Sequence, residues 1–113
     1  PVIFLEKFPE STSPFWNMKR SDVPGYAQKI DVILFGIETI GSAERSTDHN
    51  EMRHRFHTIS NGMYADILYA QFGEARVRAE LEKFLSLPMI PRCGGGIGIT
   101  RMIRALKMAE VLK

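Results

Sequence analysis

Short apolar runs occupy the first part of the chain, and stripes of helical period the second. Val2 to Phe8 is an apolar run closed by Phe8-Pro9, which predicts a short buried strand. Glu10 to Pro14 reads as a polar turn, Phe15 to Met18 as a second short strand, and Ser21 to Gly25 as a loop. Ile30 to Phe35 carries the strongest strand signal, being rich in β-branched residues and ended by Gly36. Glu38 to Ser46 follows as a further strand, antiparallel to it if Gly36 makes a tight connection. Asp48 stands where a helix N-cap belongs, with Glu51 in the capping-box position, and the helix they start runs to about His57. A second helix covers Met63 to Phe72. Gly73 separates it from a third, Glu74 to Leu87, in which Val77, Leu81 and Phe84 make one apolar stripe before Pro88 and Pro91. In a last helix Met102, Ala105, Leu106, Ala109 and Leu112 share a face. There are no repeats and no βαβ regularity. The pattern predicts an α+β fold: an antiparallel β-sheet flanked by helices.

The 113 residues allow one domain or part of a larger one. A formal net charge of +2 makes no electrostatic case for nucleic acid. No apolar stretch is long enough to span a membrane, and no signal peptide opens the chain. The single Cys93 rules out an internal disulfide and fits a reducing, cytoplasmic interior. With no base beside it in sequence, Cys93 reads as a small turn or buried residue rather than a nucleophile. The chain opens on Pro1 instead of Met, as though cut from something longer.

The richest stretch chemically is Cys93-Gly94-Gly95-Gly96-Ile97-Gly98-Ile99-Thr100-Arg101. Glycines let a backbone approach a flat ligand closely. An arginine just beyond presents a planar cation to phosphate or carboxylate. The run lacks the Gly-Lys-Ser/Thr end of a P-loop and the βαβ setting of a dinucleotide fingerprint. It can serve a nucleotide, or it can be a plain strand-to-helix connection.

The run resembles the third signature motif of class II aminoacyl-tRNA synthetases, a glycine-alternating strand leading into a helix whose early arginine holds the ATP triphosphate. Gly94, Gly96 and Gly98 match the alternating glycines and Arg101 the arginine, while Thr100 stands where the nearest branch has an acidic residue. Two further segments resemble aspartyl- and asparaginyl-tRNA synthetases in the same order. Phe8-Pro9 with Pro14-Phe15-Trp16-Asn17-Met18 is similar to the stretch after the second motif, with Trp16 in place of tyrosine. Asp31-Val32 with Gly36-Ile37-Glu38-Thr39-Ile40-Gly41-Ser42-Ala43-Glu44-Arg45 is similar to the segment that carries metal and amino-acid contacts.

The resemblance implies ATP and Mg²⁺ as cofactors, and ATP-dependent formation of an aspartyl-adenylate. It assigns the metal to Asp31 and Glu38, the distal phosphates to Arg101, and the nucleotide to Gly96, Gly98, Arg101 and Glu38. The side-chain carboxylate of aspartate falls to Arg45, with Gly41 and Ser42 leaving room; Arg101 and Glu38 are the expected catalytic residues. The chemistry agrees, since carboxylates are hard ligands for Mg²⁺ and a guanidinium fork grips a carboxylate bidentately. The seven-residue spacing of Asp31 and Glu38 puts them on opposite faces of one straight strand, so they converge only if the chain turns or bulges near Gly36. The alternative readings are an exposed strand-edge Asp and Glu, and a surface ion pair of Arg45 with Glu44 or Asp48.

Among relatives, Gly41 resembles the asparaginyl branch and the Pro14–Met18 spacing the aspartyl branch. The archaeal asparagine synthetase derived from an asparaginyl-tRNA synthetase combines the two, and implies amidation of aspartate with ammonia. Charging of tRNA is the alternative, and a non-catalytic binding or dimerisation module is a further one. His49, His54 and His57 read as packed or solvated rather than metal-bound, with no cysteine near. The family's first and second motifs have no counterpart here. Residues 1–113 are therefore expected to be the C-terminal half of a catalytic core, whose partners are the missing N-terminal half and, in a homodimer, a second copy.

Overall fold

The computed structural model describes residues 1–12 and 15–113; Ser13 and Pro14, the end of the expected polar turn, lie outside the described residues. Four strands form one antiparallel sheet in chain order: β1 (Val2–Pro9), β2 (Tyr26–Leu34), β3 (Ile37–Arg45) and β4 (Arg92–Ile97). Helices α1 (His49–Thr58), α2 (Met63–Phe72) and α3 (Glu74–Leu85) are inserted between β3 and β4, and α4 (Ile99–Met108) follows β4. This is the α+β antiparallel architecture that the residue pattern predicts.

Only Phe35 and Gly36 join β2 to β3, with φ of 50° and 72°, and Leu34 pairs directly with Ile37. Two successive positive φ angles make a turn whose twist suits the flanking strands, and Gly36 adopts its angle without steric cost. Beyond the turn β3 bulges. Val32 pairs with Ile40 and Ile33 with Glu38, which leaves Thr39 without a partner in the ladder. Thr39 is 2% exposed, its Oγ1 donates to the Val32 carbonyl at 3.0 Å, and its own carbonyl accepts the Gly98 N–H at 2.8 Å. The bulge therefore also anchors the start of α4.

Phe15 to Met18 is not a strand. Trp16 and Asn17 form a turn, and Met18 makes a single bridge to Arg45. The following residues wedge between the splayed ends of β2 and β3: Lys19 N–H donates to the Glu44 carbonyl, and Gln28 N–H to the Lys19 carbonyl. The cause is Trp16, which leaves the sheet to pack edge-on against Phe56 and Phe84, with ring centroids 5.3 and 5.7 Å away.

The helical lobe has its own core of Met52, Phe56, Ala65, Val77, Leu81 and Leu85. Leu85 completes the buried stripe of α3, which stops two residues short of the expected Leu87, while Phe84 packs at its margin. On the sheet, Met18, Ala27 and Ala43 form a second, smaller cluster. Asp48 caps α1 by accepting the Glu51 N–H at 2.9 Å, but the Glu51 carboxylate turns to Arg20 at 2.7 Å, so only half of a capping box forms. In α4 Ala105 is buried as the stripe requires; Leu112 lies past the helix end and is exposed.

Candidate functional site

The hairpin and the bulge together decide what one face of the sheet presents. Across the hairpin Glu38 pairs with Ile33, two residues from Asp31, so the two carboxylates share a face despite their odd spacing. The extra residue at Thr39 then shifts the register, setting Gly41 opposite Asp31 and Ala43 opposite Lys29. Glu38 and Arg45 are seven apart on one strand and would face opposite ways without the bulge. With it, Arg45 joins the carboxylates. On β4, Gly96 pairs with Gly41 and Gly94 with Ala43, so glycines and alanine floor this face.

The result is a cleft of about 250 Å³ bordered by Phe15, Lys29, Glu38, Gly41, Arg45 and Gly96, among others. A side chain at Gly41 would start 3.3 Å from Asp31 Oδ1 and 3.4 Å from Glu38 Oε1, so both oxygens converge over this glycine. Nothing lies within 4 Å of the corresponding point above Gly96. The Arg45 guanidinium lies across Gly94, its Nη2 donating to the Gly94 carbonyl at 3.4 Å. Among the described residues no carboxylate pairs with it. Glu44 is bound to Lys19 at 2.7 Å and Asp48 caps α1, so neither makes the surface pair that the sequence left open.

Arg101, in the first turn of α4, is 61% exposed at its side chain. It reaches the Glu38 carbonyl at 3.4 Å and its carboxylate at 3.9 Å. Its stem folds over Gly98, where an added Cβ would stand 3.3 Å from Arg101 Cδ. Glu38 and Arg101 therefore meet at one end of the cleft, and Arg45 lies at the other end of β3.

Ser42 does not join them by its side chain. The register puts it on the opposite face, where Oγ donates to the Ile30 carbonyl at 3.2 Å beside Gln28, Glu44 and Cys93. Conversely, Lys29 was missed. Its ammonium contacts Asp31 Oδ1 and lies 3.8 Å from the centroid of the Phe8 ring. Period-2 alternation with Asp31 was the signal that could have found it.

Asp31 and Glu38, two carboxylates facing Gly41 from one side of the sheet, have the hard oxygen donors that could hold Mg²⁺. Among the described residues no three acidic, histidine or cysteine side chains gather as a metal cluster. Two of the three histidine side chains have partners of their own. His57 Nδ1 and the Tyr69 hydroxyl are 2.9 Å apart, and His49 Nε2 lies 3.1 Å from the Leu87 carbonyl. Among the described residues no helix is long and apolar enough to cross a membrane.

An antiparallel sheet, a glycine-floored cleft and an arginine at the following helix define a class II synthetase-type fold. The whole chain, residues 1–113, matches the tRNA synthetases class II (D, K and N), and it belongs to that family. It is 33% identical over 106 residues to the lysylphosphatidylglycerol biosynthesis bifunctional protein LysX of Mycobacterium leprae, covering 91% of this chain and 9% of that protein. To the aspartate–tRNA(Asp/Asn) ligase of Aeropyrum pernix it is 22% identical, over 96% of this chain and 22% of the ligase. The asparaginyl-tRNA synthetase of Entamoeba histolytica, solved with asparaginyl-adenylate, superposes with a TM-score of 0.68 at 18% identity, over 98% of this chain and 23% of that one. The chain thus spans under a quarter of the length of each of these relatives.

Proposed function

We propose that the chain is the C-terminal part of an adenylate-forming catalytic core that activates aspartate with ATP, in the service of asparagine synthesis from ammonia. The observation that carries this reading is Arg45: a guanidinium without a carboxylate partner among the described residues, beside a glycine floor, on the same face as Asp31 and Glu38. A substrate carboxylate is the complement to such a fork. Arg101 is the residue for the distal phosphates, and Asp31 with Glu38 would hold Mg²⁺, which when bound neutralises phosphate charge. One substrate carboxylate oxygen bonds to the α-phosphorus as pyrophosphate leaves. Ammonia then bonds to the acyl carbon, AMP leaves, and a proton is lost to give the amide.

Aspartate has two carboxylates, and Arg45 holds one while the other reacts. If it grips the α-carboxylate, the side chain is adenylated and ammonia yields asparagine. If it grips the side chain, the α-carboxylate is adenylated and the product suits tRNA. This second reading is favoured by the similarity to the Aeropyrum pernix ligase. The similarity to LysX makes lysine a further candidate, but the ammonium of a lysine side chain would be repelled by Arg45.

The test is pyrophosphate exchange by the complete protein with aspartate, asparagine and lysine in turn, then with ammonia and with tRNA. Exchange with aspartate and release of asparagine on adding ammonia is expected, and Arg101→Ala should weaken ATP binding at least ~10-fold while leaving stability within about 0.5 kcal/mol. Exchange with asparagine or lysine alone would overturn the substrate. Absence of exchange with all three would leave the non-catalytic module.

A further inference from the structure

Lys29 has no role in the reading above, yet it is bound into the centre of the cleft. It alternates with Asp31 on β2, on the face that carries Glu38, Gly41 and Arg45. Its ammonium contacts Asp31 Oδ1, the same oxygen that faces Gly41, as Glu38 Oε1 also does. The pair is nearly enclosed: the Lys29 side chain is 14% exposed and that of Asp31 7%. Phe8 backs the ammonium from the other side, with its ring centroid 3.8 Å away. Across to β3 the two pair with the small residues Ala43 and Gly41, which line the cleft with Lys29, and on the β1 side Asp31 pairs with Leu5.

We propose that Lys29 is the resident counter-ion of the metal site, holding the cleft-side oxygen of Asp31 so that a divalent cation and Lys29 compete for it. The inference rests on the assignment of Mg²⁺ to Asp31 and Glu38. A cation bound to Oδ1 would share one oxygen with an ammonium, and the two positive charges would repel across a partly dry site. Metal on its own is therefore bound weakly. A polyphosphate relieves the conflict, because the displaced ammonium gains a new anionic partner within the same cleft. Lys29 in this way ties metal entry to nucleotide entry, and metal-free ATP also gains from its charge.

The experiment compares the complete protein with Lys29→Met, Lys29→Gln, Lys29→Arg and Asp31→Asn. Binding of Mn²⁺ alone is followed by electron paramagnetic resonance, and binding of ATP in excess chelator by calorimetry. Both neutral variants should bind Mn²⁺ on the order of tenfold tighter than the unmodified protein and metal-free ATP several-fold weaker, with Lys29→Arg close to unmodified and Asp31→Asn without the site. The opposite signs are the signature, since a merely structural lysine would weaken both. Should the neutral variants bind Mn²⁺ no tighter while Asp31→Asn still abolishes binding, the competition is refuted and the metal site stands. If no Mn²⁺ binding depends on Asp31 in any variant, the metal assignment and the inference fall together.

Discussion

Neighbouring glycines in residues 94–98 do different work. At Gly95 a Cβ would stand 2.6 Å from the Gly41 carbonyl oxygen and 2.7 Å from Ser42 Cβ, so the position is closed by backbone on the face away from the cleft. At Gly96 there is open space within 4 Å, on the cleft face. Gly95→Ala should therefore destabilise the protein by about 1–3 kcal/mol, the usual cost of overpacking, as read by denaturant unfolding. Gly96→Ala should leave stability nearly unchanged and weaken ATP binding. The reverse assignment of the two effects would show that the cleft lies on the other face. By composition these glycines are members of one run; the motif resemblance singles out Gly96 and not Gly95, and the strand pairing puts the two on opposite faces of the sheet.

Among the elements, the helical lobe is held by aromatic contacts that reach back to the sheet through Trp16. Phe56 lies at their centre, edge-on to Trp16, His57 and Tyr64. His57 is drawn in with it, and burial first, then the nearby Arg78 guanidinium, hold its pKa below the ordinary value of 6.5. The sign of the consequence follows from proton counting. As pH falls below about 6.5, the unfolded chain protonates this histidine before the folded one does, so stability is lost on acidification and is complete above that range. A series of unfolding free energies between about pH 5 and 7 should fall toward the acid side, and His57→Gln should flatten that slope. An unaltered slope in His57→Gln would assign the loss to other groups. The helices themselves were legible. Gly73 separates α2 from α3 and Asp48 caps α1 as their positions in sequence require, because caps and breakers act locally. The short strand expected at Phe15 to Met18 was not, because its fate was set by the distant pocket between Phe56 and Phe84 that takes Trp16.

For the whole molecule, β1 is the informative strand. Val2, Ile3, Phe4 and Leu5 all stay exposed at roughly half or more of their surface, on both faces of an edge strand. An apolar edge of this kind invites pairing with further chain. We expect a larger core to cover it. In the complete protein every amide from Ile3 to Glu6 should then exchange slowly with deuterium, whereas a free edge would protect only alternate ones, and the alternate pattern would remove the case for a longer sheet.

By itself the sequence determined the helices and most of the strands, a connection at Gly36 and the Asp48 cap, and through its motifs it singled out Asp31, Glu38, Arg45 and Arg101 as candidates. These depend on local backbone preference or on residue type, which one chain carries in plain view. Which of them share a face depended on parity. A strand repeats every two residues, so the single extra residue at Thr39 moves Arg45 onto the face of Glu38, turns Ser42 away, and sets Gly41 under the carboxylates. The bulge is stabilised by partners far along the chain, among them the Gly98 N–H on the Thr39 carbonyl. For that reason the composition of the cleft, including Lys29 on Asp31, was decided only when the strands and α4 came together.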